Sequence, residues 1–187
     1  EEFFDHGGWV HRSTLYEEVV KIPLAVRSPG LARRRSPVSI NQSDIGPTLL
    51  ALAGAKLPER GDGRNLAPSL LAQRLPGQEP IRLAHLRSRF AVGGPNLYSA
   101  RADTFKLIVH RETEHSPEPR LELYDLADDP GEKTNLASTR PLVAGYLLAQ
   151  IESARLLQET QREQLHAGRA TARPEAEEAL RALGYIQ

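Results

Sequence analysis

The sequence predicts an α/β chain in which short helices and one apolar run are followed by a small antiparallel sheet packed by a long C-terminal helix. Three observations carry this: helix-coding stretches around a run of apolar residues between 13 and 72, alternation of apolar and polar residues from Ile81 to Leu126, and a helical period from about Arg140 to Ala167. With 187 residues, 40% of them hydrophobic and 26% charged, the chain has material for one core of ordinary size and a tail.

Taken in order, STLYEEVV offers Ser13 or Thr14 as an N-cap, with Glu17 and Glu18 in a first turn where carboxylates face the positive end of the helix. KIPLAVRSPG then reads as a mostly apolar strand, buried on both faces of a sheet and ended by Pro29 and Gly30. In VSINQSDIGPTLLALAG, Ser43 or Asp44 caps a helix running through Leu52, Gly54 stops it, and Ile45, Leu49 and Leu52 form its apolar face. LPERGDGRNLAPSLLAQ reads as a loop rich in Gly and Pro followed by a short helix, and the loop reads as a turn in preference to a binding lip.

IRLAHLRSRFAV, NLYSARAD, TFKLIVH and RLELYDL each alternate with period two and are separated by polar turns, which predicts a sheet with one wet face. The turn RETEHSPEPR carries no implied chemistry. LADDPGEKTNLA is a turn cluster in which Asp125 and Asp129 are expected to bond backbone N–H groups rather than a metal. Beyond it, Val143, Leu147, Ile151 and Ala154 fall on one face of a long helix that should cover the sheet. A second short helix, EAEEALRAL, is expected after Pro174 and before Gly184.

Composition excludes several classes of function. Twenty-four basic residues against 24 acidic ones provide no net field to attract nucleic acid or an anionic membrane, and Arg33 to Arg35, the one basic run, reads as solvated surface. There is no run of eighteen apolar residues, so no membrane span is expected. The absence of cysteine removes disulfides, thiolate metal sites and a cysteine nucleophile, and leaves the redox compartment open. Lysine occurs only at positions 21, 56, 106 and 133, and this arginine bias points to a GC-rich bacterial coding sequence.

Chemistry concentrates in EEFFDHGGWVHRSTLYEE. His6 and His11 lie five residues apart beside Asp5 and Arg12, on a loop opened by Gly7 and Gly8. That spacing fits neither one helical face nor the HExxH zinc pattern, so no metal ligand is assigned in this chain. The cluster of cationic and hydrogen-bonding tips suits an oxyanion; the alternative is a loop whose histidines only bond backbone. His85, His110, His115 and His166 are each isolated and read as structural or solvated. No GxSxG, P-loop or GxGxxG is present.

Several stretches together resemble the C-terminal portion of a type I, arylsulfatase-like sulfatase of the alkaline phosphatase superfamily. In that family a strand bearing metal ligands leads into a loop like EEFFDHGGWVH, then TLYEE, a basic residue, PL and a PG turn. SINQSDIGPTLLALAG, GRNLAPSLL, YSARADTFKLIVH and LYDLADDPGEKTNLA follow in the family's order, and LRALGYIQ is a familiar ending. The resemblance implies that residues 1–78 are the C-terminal end of a catalytic, alkaline-phosphatase-like sulfatase domain. Residues 79–187 would then be a C-terminal subdomain of antiparallel sheet and helices.

It also implies that the chain starts just after the last metal-binding strand. The formylglycine nucleophile, made from a CxPSR or SxPSR motif, and the metal ligands would lie in an absent N-terminal part. The complete enzyme is expected to use a divalent metal, Ca2+ or Mg2+, and to cleave a sulfate ester of a small molecule or glycan. This chain alone is expected to bind no metal and to be inactive. Many members carry Lys four residues before the Tyr of TLYEE and others carry His there or next to it; here Arg12 lies four before Tyr16 and His11 five before, and the alignment leaves both open. Imidazole donates a proton near neutrality whereas guanidinium stays charged, so His11 is taken as the catalytic and sulfate-contacting group, with Arg12 and His6 as further substrate-binding residues. Phosphodiester or phosphonate monoester hydrolysis within the superfamily is one alternative, and a non-catalytic binding module is another. The module reading would leave the apolar KIPLAVRS strand uncovered.

Overall fold

The computed structural model describes residues 2–9, 13–35, 40–57, 63–72, 81–87, 96–111, 119–164 and 181. The chain divides into two compact units, Glu1–Ile151 and Glu152–Gln187. In the first unit the expected short helix is α1, Glu17–Val20, with both acids in its first turn. Its cap position is Tyr16 rather than Ser13 or Thr14, because the Thr14 hydroxyl instead donates to Glu2 Oε2 at 3.3 Å.

KIPLAVRS does not form the expected strand. Residues 21–28 carry no strand pairing, and Ile22 and Leu24 are exposed. A strand needs a neighbour for its backbone N–H and C=O groups; among the described residues none pairs with this segment as a strand, and Pro23 removes one donor.

Helix α2, Gln42–Leu52, forms where expected and ends at Gly54, whose φ of +70° is the left-handed turn that closes many helices. Its cap is Asn41, whose N–H donates to Asp44 Oδ2 at 3.1 Å. Asp44 is thus the third residue of the helix and not its cap. The buried face also differs from expectation: Asp44 and Thr48 are buried, whereas Leu49 and Leu50 are exposed. The reason is the following loop. Arg64 donates to Asp44 through its backbone N–H at 2.7 Å and its guanidinium at 2.7 Å, and the Leu66 N–H donates to Thr48 Oγ1 at 3.1 Å. These bonds turn the polar side of α2 inward. Pro47 has no N–H for the Ser43 carbonyl, and the loop backbone comes so close there that a Cβ on Gly63 would lie 1.9 Å from that oxygen. Only glycine fits. Helix α3, Ala67–Leu71, with Pro in its first turn, completes this region.

Four strands follow: β1 (Arg82–Arg87), β2 (Asn96–Ala102), β3 (Phe105–His110) and β4 (Arg120–Asp125). They pair antiparallel in the order β1-β2-β3-β4, as the period-two alternation predicts. The register sets Leu107 opposite Ala100 and Leu123, and Ile108 opposite Ser99 and Glu122. Ala100, Leu107, Val109 and Leu123 build one face, and the buried residues Ala144, Leu147 and Ile151 pack with them. These three belong to α4, Pro141–Gln164, the expected long helix. Leu147 and Ile151 bury completely, worth roughly 1.5–3 kcal/mol each against exposure. Val143 and Ala154, placed on the same face by the sequence pattern, are only half-buried, and Ala144 takes the central contact.

The second face of the sheet is not wet, contrary to expectation. Leu97, Ile108 and Tyr124 pack with Leu15 from the segment before α1, flanked by Tyr16 and Val20. The polar residues that alternation assigns to solvent, Ser99, Lys106 and Glu122, are buried under this segment. Of the expected helix EAEEALRAL only Arg181 is described, in helical conformation, and the turn around His115 lies outside the described residues.

Candidate functional site

The polar face of the sheet fastens the loop and helix that carry the candidate residues. Lys106, 2% exposed, stands on β3 with its ammonium 3.0 Å from Glu17 Oε1 and 2.9 Å from Glu132 Oε1. Arg101, beside it on β2, donates to Glu17 Oε2 at 2.8 Å. Glu132 comes from the turn after β4, where its φ is +53°. Its second oxygen accepts the backbone N–H of Glu17, at the start of α1, at 2.5 Å. That N–H precedes the first helical hydrogen bond and needs an outside partner. Burial pushes the Glu132 carboxyl up, and the Lys106 ammonium offsets only part of this.

A second anchor lies on β4, the strand paired with β3. Glu122, on β4 and 4% exposed, accepts from the Tyr16 hydroxyl at 2.8 Å and the Tyr124 hydroxyl at 3.0 Å. Arg120 Nη2 lies 2.8 Å and His110 Nε2 3.0 Å from its other oxygen. Burial alone would raise this carboxyl, but the bonds from His110 and Tyr16 and the nearby charges outweigh it, and its pKa falls to about 2. Tyr16 moves the other way: burial and the Glu122 carboxylate push its phenol up to about 12, so it remains a donor.

The loop before α1 is held by its own side chains and by the turn after β4. Glu2 is fully buried, accepts the Gly8 N–H at 2.7 Å, and sits where a Cβ on Gly8 would come within 2.3 Å of its carboxylate. Phe3 and Phe4 adopt positive φ, and both rings lie against the exposed Trp9, with centroids 6.3 and 4.8 Å apart. Lys133 donates to the carbonyl of Asp5. The turn behind it is built as expected: Asp129 Oδ2 accepts the N–H groups of Lys133 and Thr134 at 2.8 Å each, and Asp125 Oδ1 accepts that of Ala127 at 3.1 Å. The two backbone N–H bonds lower the Asp129 pKa.

His6 is the one sequence-predicted site residue among the described ones. Its ring stacks on Tyr16 with centroids 3.6 Å apart, its Nδ1 lies 2.5 Å from Glu18 Oε1, and its Nε2 lies 3.2 Å from the Glu132 carbonyl. Both ring nitrogens thus face acceptors. His11 and Arg12 lie outside the described residues, so the structure gives only the two ends of their loop. Of the other histidines, His85 stacks on Tyr98 and bonds Asn96, and His110 joins the Glu122 cluster. His115 and His166 lie outside the described residues.

Glu2, His6 and Glu18 bring one potential ligand atom each within 4.8 Å of one another. They do not fit a resident divalent ion. His6 has both nitrogens facing acceptors, whereas a metal-bound imidazole must present a bare nitrogen. The cluster is a hydrogen-bonded clasp.

Sequence reasoning picked out His6 but not the residues that hold it: Tyr16, Glu17, Glu18, Lys106, Glu122 and Glu132. A signal was available, since Lys106 and Glu122 occupy positions of one parity on strands whose other parity is apolar. Alternation alone assigns such residues to water, and only the chain passing over them makes them partners.

Against known proteins, residues 5–158 match the family model described as N-sulphoglucosamine sulphohydrolase, C-terminal. The chain is 29% identical over 144 residues to a Δ4,5-hexuronate-2-O-sulfatase of Bacteroides thetaiotaomicron, covering 71% of this chain and 29% of that protein. It is 30% identical over 150 residues to arylsulfatase K of Canis lupus familiaris, covering 76% of this chain and 27% of that protein. A solved structure of a candidate sulfatase from Bacteroides thetaiotaomicron superposes with a TM-score of 0.66 at 24% identity, over 87% of this chain and 34% of that one. The chain therefore spans less than a third of the length of either curated relative.

Proposed function

Because this chain belongs to the sulfatase family, as a member of its N-sulphoglucosamine sulphohydrolase C-terminal group, we propose that it works as the C-terminal part of an enzyme that cleaves sulfate esters. Residues 1–78 would complete the catalytic domain and residues 79–187 would form the C-terminal subdomain. The observation that carries the reading is the fastening of the loop before α1. Buried ionic and aromatic contacts hold both ends of a histidine-bearing loop, an arrangement suited to presenting preorganised donors to an oxyanion.

In this reading His11 donates a hydrogen bond to a sulfate oxygen or a proton to the leaving oxygen, Arg12 anchors the sulfate as a fixed cation, and His6 holds the loop. The formylglycine nucleophile and the Ca2+ or Mg2+ ligands belong to the remainder of the parent enzyme, since the described donors here do not fit a metal. The ester would be that of a small molecule or glycan; the names of the hexuronate sulfatase and arylsulfatase K support that class. No described helix is long and apolar enough to cross a membrane.

The test is steady-state kinetics of the full-length parent on an aryl sulfate. His11→Ala should lower turnover by roughly a hundredfold to a thousandfold, the usual cost of one preorganised donor. Arg12→Ala should raise the Michaelis constant. Turnover near wild type for His11→Ala would remove His11 from the mechanism, and no hydrolysis of any sulfate ester by the parent would remove the activity itself.

A further inference from the structure

We propose that Lys106 and Glu132 form a positioning pair, which sets the orientation of the loop before α1 from the sheet face beneath it. Neither lies in the loop. Glu132 nevertheless touches it at two places on two elements: its carboxylate takes the first N–H of α1, and its backbone carbonyl faces Nε2 of His6. Lys106 ties that carboxylate to Glu17, the residue whose N–H it holds. The result is a closed ring of contacts, Glu17 N–H to Glu132, Glu132 to Lys106 and Lys106 back to the Glu17 carboxylate. Such a ring fixes α1 in position and in rotation about its axis.

The chemistry of this ring argues for a positioning role beyond simple stability. A buried cation between two carboxylates costs desolvation that hydrophobic residues of the same volume would avoid, so it is a weak source of stability and a strong source of geometry. Glu132 also holds a positive φ, which an uncommitted side chain has no reason to keep. The groups facing Lys106 from each packed element are Glu17 from α1, Arg101 and Tyr124 from the neighbouring strands, and Glu132 from the turn. Of these only the two acids oppose its charge. The consequence for catalysis rests on the proposed reading of this loop as the one that meets the sulfate. The positioning itself does not.

The experiment therefore has two arms. In the first, the 187-residue chain is labelled with 15N, and exchange of the Glu17 amide and the ring signals of His6 are followed in wild type, Glu132→Gln and Glu132→Ala. A first-turn amide ordinarily exchanges freely. In wild type that of Glu17 should be protected at least tenfold against the Glu132→Ala chain, with a simultaneous shift of the His6 ring signals. Identical exchange and ring signals in all three chains overturn the positioning pair, whatever the activity. In the second arm the full-length parent is assayed on an aryl sulfate well below its melting temperature. Glu132→Gln should reduce kcat at least tenfold with KM changed less than threefold, and Lys106→Met should do the same where it folds. Equal kcat in wild type and Glu132→Gln overturns the catalytic consequence. A parent without activity on sulfate esters refutes the functional reading instead, and leaves the exchange arm to decide on the pair.

Discussion

Replacing Glu122 by Gln tests the second anchor. The carboxylate is buried, takes hydroxyl bonds from Tyr16 and Tyr124, and faces Arg120 and His110, and its pKa is lowered from 4.5 to about 2. That displacement corresponds to about 3 kcal/mol in favour of the folded chain when the carboxylate is ionised. Gln keeps the shape but removes the negative charge that Arg120 and His110 face. Because the folded pKa lies below the unfolded one, the unfolded chain binds more protons, and the contribution is fully present above about pH 4.5 and fades as pH falls toward 2. Urea titrations monitored by far-UV circular dichroism at several pH values measure this directly. At pH 7 the variant should lose about 3 kcal/mol, and the gap between wild type and variant should shrink by about 1.4 kcal/mol per pH unit below 4.5. A gap that stays constant from pH 7 to pH 3, or one below about 1 kcal/mol at pH 7, refutes the idea that Glu122 is held ionised by this cluster.

Three further outcomes follow from other contacts. Gly63→Ala places a Cβ 1.9 Å from the Ser43 carbonyl and should cost about 2 kcal/mol or more by forcing the loop off α2, read as a lowered urea midpoint. Asp129→Ala removes the acceptor for two N–H groups and should destabilise the turn by about 1 kcal/mol, with the metal content of the parent enzyme unchanged on elemental analysis. Asp44→Ala removes the carboxylate that faces Arg64 and the acceptor for the Asn41 N–H at the start of α2, and should lose about 3 kcal/mol in the same urea assay; a loss under 1 kcal/mol would contradict the inward polar face of that helix.

The sequence by itself determined what depends on local pattern. The meander from Arg82 to Asp125 follows from period-two alternation, because a strand's side chains point alternately to two faces whatever lies beyond them. The helix from Pro141 and the turn bonded by Asp125 and Asp129 follow from periodicity and from short acceptor side chains next to free N–H groups. The loop with His6 and His11 stands out in the sequence because histidine, glycine and arginine cluster there, and most of the stretches that carry the resemblance to sulfatases fall within the residues that the family match covers. Tertiary structure alone decided the rest. KIPLAVRS has the composition of a buried strand, yet strandness is a relation between two chains of backbone, and no described neighbour supplies the other half. The apolar pattern of α2 put Leu49 inside, but Arg64, twenty residues on from Asp44, bonded its polar side and reversed it. Lys106 and Glu122 read as solvated because charges are costly to bury; Glu17 and Glu132 for one, Tyr16 and Arg120 for the other, arrive from distant positions and offset that cost. A charge's partner is set by where the chain returns in space, and spacing along the sequence carries no record of that.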